Sequence, residues 1–202
     1  MPASQILALI VATSFAAGLN VYATVATLGL LDRTGAIELP ATLDPLASWW
    51  VIAICSVMFT LEFFADKIPA FDLIWNALQT VVRVPVAGLL AYTASEPLSP
   101  PMQLLAMAVG SALALASHTW KISVRASVTP SPEPVSNIAL SLAEDTAAIG
   151  LTWFAVTHPF LAAATVLVVL VLMALAIRWI FRGLRTLFRR WTMPSPAPQL
   201  RT

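Results

Sequence analysis

Residues 117–148 read SHTWKISVRASVTPSPEPVSNIALSLAEDTAA, and two apolar runs meet here across a proline-rich turn. The first run closes on a basic face made of His118, Lys121 and Arg125. The second opens with Asn137 and Ser141 and then carries adjacent carboxylates, Glu144 and Asp145. A charge at bilayer depth costs about 2.5–3.5 kcal/mol on insertion scales, so such residues persist there only when paired or in use. The stretch therefore predicts two membrane helices joined by a short turn, with polar side chains held at depth.

Working outward, the rest of the chain has the same character. Of its 202 residues 59% are hydrophobic and only 10% charged, and the mean hydropathy is +0.85. An ordinary soluble domain carries about 25% charged residues, so the solvent of this chain is lipid. A spanning helix needs roughly 20 mainly apolar residues. Six stretches qualify, at about Gln5–Leu31, Leu46–Ala65, Phe71–Ala94, Met102–Ala126, Ser136–Thr157 and Phe160–Phe181. The predicted fold is an all-α polytopic bundle of six transmembrane helices over residues 1–182. No Lys or Arg precedes the first apolar run, which predicts a retained helix rather than a cleaved signal. Cys55 is the only cysteine; an internal disulfide is ruled out, and the residue reads as part of the apolar core.

Residues 183–202 form the predicted tail. Arg178, Arg182, Arg185 and Arg189 fall at i, i+4, i+7 and i+11 on one helical face. This suits either an amphipathic helix on anionic lipid headgroups or a plain cytoplasmic anchor. The closing MPSPAPQLRT has the composition of a disordered segment. With six spans, Lys67, Lys121, Arg125 and the arginine tail share one side and only Arg33 lies on the other. The positive-inside rule then places both termini in the cytoplasm. Sliding helices two and three by about sixty residues aligns Pro69 with Pro130, Asn76 with Asn137 and Arg83 with Glu144. That is the pattern of a parallel internal repeat with helices four and five.

The intramembrane polar groups are Asn20, Glu62, Asp66, Lys67, Arg83, His118, Lys121, Arg125, Asn137, Ser141, Glu144 and Asp145. At 1.5 Å per residue, Arg83 lies roughly 16 Å into its helix and Glu144 roughly 12 Å into its own. Matching depth and opposite charge predict an Arg83–Glu144 pair. Glu144 and Asp145 point about 100° apart on the helix, so one faces Arg83 and the other the basic face. Pro85 removes a backbone donor and frees the carbonyl of Val81. The basic face admits several readings: anchors snorkelling to headgroups, a cradle for a phosphate or carboxylate, or a metal site completed by carboxylates. A Ser117–His118–Asp145 hydrolase triad is a further alternative. No nucleophile elbow, Walker loop or dinucleotide fingerprint is present.

Three segments carry a resemblance: AAGLNVYATVATLGLLDRTG from Ala16, LEFFADKIPAFDLIWNALQTVVRVPVAGLLA from Leu61 and HTWKISVRASVTPSPEPVSNIALSLAEDTAAIGL from His118. The ADKIP turn with its following Arg-x-Pro, and the SLAED block, are the specific parts. The chain resembles a bacterial multi-pass membrane family described only as a domain of unknown function. The resemblance singles out Asp66, Lys67, Pro69, Arg83, Pro85, Lys121, Arg125, Asn137, Glu144 and Asp145. Where that family often has a basic residue after Gly-Leu, this chain has Asn20.

These readings lead to an inner-membrane protein without catalytic activity, cofactor, metal or nucleic-acid partner. Its charged cluster is expected to handle a small solute, an ion or a lipid headgroup. The alternative is a scaffold or complex subunit whose charges only fix helix packing. A homo-oligomer is compatible with these readings.

Overall fold

In the computed structural model, residues 2–128 and 134–191 are described. The side chains of residues 69, 70, 72, 73, 128, 134, 184 and 186–191 lie outside that description. All the regular structure among the described residues is helical. The elements are α1 (Ala3–Leu19), α2 (Val21–Arg33), a 3-10 helix (Ala41–Ala47), α3 (Trp49–Ala65), α4 (Pro69–Ala94), α5 (Pro100–Val128), α6 (Pro134–Thr157) and α7 (Pro159–Trp191). Four helices begin on a proline, whose missing N–H and fixed φ suit a first helical position. Four are long and apolar enough to cross a membrane, and the 3-10 helix with α3, bent by 62°, makes a fifth if taken as one span. The turn at 129–133, the last part of the predicted tail from residue 192 on, and Pro130 of the expected repeat lie outside the described residues.

The largest difference from the expected fold is at the first span, which is two helices rather than one. Asn20 sits in extended backbone (φ −153°, ψ 103°) between α1 and α2. Its side-chain oxygen accepts from the N–H of Ala23 at 3.0 Å, an N-cap that starts a new helix. The second span is likewise broken, with Ser48 between the 3-10 helix and α3.

The described residues up to Val166 form one compact unit and those from Leu167 on a second. Within the first, α1 is buried on nearly every face, Ile6, Leu9, Ile10, Phe15 and Ala16 among them, and packs against α4, α5 and α6. An all-round apolar helix belongs at such a position. Small residues set the crossings, as is usual where helices pack in lipid. A Cβ on Gly18 would lie 1.9 Å from Ser117 Oγ and 2.3 Å from the Ala114 carbonyl, and one on Gly88 would lie 2.2 Å from Ser111 Oγ. Leu78, Val81, Leu104, Leu142 and Trp153 face outward, an apolar exterior suited to lipid. Cys55 is half-buried and lines an apolar cleft of about 240 Å³ with Val21, Val25, Val82 and Val86.

In the second unit α7 continues as one helix through Gly183 to Trp191. Arg178, Arg182 and Arg185 are exposed on it; the side chain of Arg189 lies outside the described residues.

Candidate functional site

The break at Asn20 is where the buried charges gather. A helix that stops leaves its last carbonyls without intrahelical donors and concentrates negative potential there. The carbonyls of Gly18 and Leu19 are met by Arg83, whose Nη1 donates to them at 3.2 and 2.9 Å. Lys121 Nζ also donates to Leu19 O at 3.3 Å. Gly18 has a second role in this, since only a glycine lets α1 press onto α5 one residue before its end. On the α2 side, Asn20 uses its oxygen as the cap and its Nδ2 to donate to Asp145 Oδ1 at 2.9 Å. One side chain thus joins the helix break to the carboxylate on α6.

Around the break the ion pairs form a connected chain. Arg83 pairs with Glu62 through Nη2. Lys121 reaches Glu62 at 3.1 Å, Asp66 at 3.2 Å and Glu144 at 3.3 Å. Arg125 donates from Nη2 to Asp66 Oδ2 at 2.7 Å and from Nε to Glu144 Oε2 at 3.0 Å. It also donates to the Asp66 backbone carbonyl at 3.2 Å. The side chains of Glu62, Asp66, Arg83 and Lys121 are wholly buried, whereas that of Glu144 is 11% exposed. Glu144 is therefore the edge of the network that touches the surroundings.

His118 is fixed in its neutral form by its partners. Arg83 Nη1 can only donate, so His118 Nδ1, 2.9 Å away, must accept. The carbonyl of Asn76 can only accept, so Nε2, at 3.0 Å, carries the proton. Thr80 Oγ1 lies 2.8 Å from the same nitrogen.

Nine of the twelve residues singled out in the sequence, Asn20, Glu62, Asp66, Arg83, His118, Lys121, Arg125, Glu144 and Asp145, are joined by these bonds. Lys67 stands beside the network: its Nζ donates to the Phe63 carbonyl at 3.0 Å and sits over the Phe63 ring at 2.8 Å. Asn137 and Ser141 are buried on the face of α6 that carries Asp145, but among the described residues Asn137 Oδ1 and Ser141 Oγ have no hydrogen-bond partner.

Two expectations are corrected. The partner of Arg83 is Glu62 rather than Glu144; depth counting locates Cα atoms, and a long arginine side chain carries its charge well away from its own. Lys121 and Arg125 do not snorkel to headgroups: both are buried, at 1% and 0% exposure, because three carboxylates converge on them. The two carboxylates of the SLAED block do point to different partners, Glu144 to the basic face and Asp145 to Asn20. Among the described residues no group of three His, Cys, Asp or Glu side chains could hold a metal ion. The contributions of the Gly18 and Leu19 carbonyls, Thr80 and the Asn76 carbonyl were missed. The one available signal was the Gly-Leu-Asn sequence inside an apolar run, which offers a cap where a continuous helix needs none.

The model for the domain of unknown function DUF4126 matches residues 7–179. The chain belongs to the DUF4126 family. That match takes in all twelve singled-out residues and every helix of the network, so the break and the ion pairs lie inside the DUF4126 domain. No curated protein and no solved structure matches the chain.

Proposed function

We propose that this DUF4126 protein is a polytopic inner-membrane protein with a transport-like role, passing a small solute or ion by way of the charged network. The observation that carries the reading is the network's attachment to a broken helix. Discontinuous helices whose free carbonyls and half-helix ends meet ions are a recurring way to build transport sites. Irregular backbone at bilayer depth is tolerated where protein or a water-filled cavity satisfies it. Here Arg83 and Lys121 hold the carbonyl end and Asn20 the amide end, while Glu144 keeps an exposed edge. The lipid-headgroup reading is supported by that same edge. The protein in this view binds and moves its ligand without chemical change.

Counting α1 with α2, and the 3-10 helix with α3, as broken spans gives six crossings. Both termini then lie in the cytoplasm of a bacterial cell. Since Lys121 and Arg125 are committed to the network, this orientation rests on Lys67 and the arginines of α7 against Arg33. The exposed Arg178, Arg182 and Arg185 would meet anionic headgroups at that face. A parallel repeat of α3–α4 and α5–α6 is supported by the aligned Asn76 and Asn137, both buried, and by Arg83 and Glu144 entering one network.

The test is water access. Ser141→Cys in a Cys55→Ala background should react with a small, impermeant thiol reagent in membranes. A purely structural role, with the charges only fixing helix packing, predicts a dry position that stays unlabelled.

A further inference from the structure

Asp145 differs from the other carboxylates of the network. Glu62, Asp66 and Glu144 all take salt bridges from Arg83, Lys121 or Arg125. Among the described residues Asp145 has none; its Oδ1 is held by Asn20 and its Oδ2 has no partner. It is nevertheless buried, at 5% exposure. Ser141, one turn earlier on the same face and fully buried, leaves its Oγ without a partner among the described residues, and Asn137, a further turn back, likewise leaves its Oδ1. Buried polar atoms are nearly always paired in native proteins. Three orphaned oxygens on successive turns of one helix are therefore an unmet demand, and all three are acceptors of the hard, oxygen type.

The surroundings say what would meet it. Lys121 on α5, Glu62 on α3 and Asp66, the residue that caps α3, lie near Asp145, with Glu144 beside it on α6 and Arg125 held on Asp66 and Glu144. Lys67 follows α3 and is close enough for its charge to act on Asp145, but its ammonium donates to the Phe63 carbonyl and, among the described residues, makes no salt bridge to Asp145. Of the two helices meeting at Asn20, α1 has no ionisable side chain, and α2 has Tyr22 facing the apolar cleft and Asp32 and Arg33 at its far end. Within the network, Arg83, Lys121 and Arg125 take up Glu62, Asp66 and Glu144 in salt bridges, and among the described residues no cation is bonded to Asp145. A single monovalent cation on Oδ2 would supply the missing partner, whereas a divalent ion has no carboxylate cage among the described residues. All-oxygen ligand sets suit hard cations rather than thiolate- or imidazole-seeking metals. A proton would satisfy Asp145 Oδ2 and leave the neighbouring oxygens unmet.

We infer that Asp145 and Ser141 form a binding site for one monovalent metal cation of the Na⁺ type, with Asn137 leading to it along α6. Asn20 ties this site to the α1–α2 break, so occupancy and the geometry of the break are linked. The inference names the ion for the proposed transport role and rests on that reading, but its test is an equilibrium one.

The purified protein is melted in detergent in NaCl and in choline chloride at equal ionic strength and fixed pH. A ligand that binds only the folded state raises its melting temperature. Na⁺ should stabilise the wild type over choline, and Asp145→Asn should remove the difference. Ser141→Ala should raise the Na⁺ concentration for half-maximal stabilisation by about tenfold or more, the scale on which ion sites respond to losing a supporting group. If Asp145→Asn does not fold, the Ser141→Ala titration decides alone. Equal melting of the wild type in the two salts, or an undiminished Na⁺ response in both variants, overturns the site. A response to pH without one to Na⁺, abolished by Asp145→Asn, also overturns it and makes Asp145 a proton carrier. A missing Na⁺ response with Ser141→Cys still reactive removes the cation site and leaves the transport reading standing; a Na⁺ response with an unreactive Ser141→Cys does the reverse.

Discussion

Replacing Arg83 by Met removes three things at once: the pair with Glu62, the donors to Gly18 and Leu19 at the end of α1, and the hydrogen bond that sets His118. Breaking a buried ion pair from one side costs about 3–5 kcal/mol, and each unmet buried acceptor about 1–3 kcal/mol. Two of the losses are softened, because Lys121 still reaches both Glu62 and Leu19 O. Gly18 O and His118 Nδ1 are the acceptors left bare. The expected cost of Arg83→Met is therefore about 5 kcal/mol, near the lower end of the summed ranges. The assay is reversible denaturant unfolding in mixed micelles, with Arg83→Met, Glu62→Gln and the double variant forming a cycle. Direct partners should couple by about 1–3 kcal/mol. A second cycle with Glu144→Gln should give the smaller coupling, since Arg83 and Glu144 meet only through Lys121. A larger coupling to Glu144, or additivity with Glu62 to within about 0.5 kcal/mol, would refute the assignment.

Other outcomes follow from the same geometry. Gly18→Ala should destabilise by about 1–3 kcal/mol through overpacking, and Ser117→Ala should not rescue it, because the Ala114 backbone is also in the way; thermal melts check both. Arg125→Lys keeps the charge but loses the fork that spans Asp66 and Glu144, so it should cost about 2 kcal/mol with membrane orientation unchanged. Tolerance of that change in a thermal melt would return Arg125 to the role of a simple anchor. A cytoplasmic reporter fused after Trp191 should be active and a periplasmic one silent; the opposite pattern reverses the proposed orientation.

The all-helical class with membrane-length apolar helices was legible in the sequence because apolar length and proline leave little choice: Pro69, Pro100, Pro134 and Pro159 each open a helix within two residues of the expected start. The identity of the buried polar residues was legible for the same reason, since a charge at depth has to be answered. Their partners were not. Glu62 and Arg83 stand on opposite sides of the turn at Pro69, and only a long side chain brings them together. The break at Asn20 was hidden because an asparagine in an apolar run reads equally as a hydrogen-bonded helical residue. What decides for a cap is the tertiary partner, Asp145, 125 residues away. Lys121 and Arg125 looked like interfacial anchors because their spacing from the helix end fits one; three carboxylates from α3 and α6 hold them inside.

Access to Ser141 from the two faces of the membrane is the most direct test of a transport role. Ser141→Cys in the Cys55→Ala background is exposed to an impermeant thiol reagent in right-side-out and, separately, in inside-out vesicles. A transport site predicts labelling from both sides. Labelling from neither side would contradict the account and leave the charged network as a packing device.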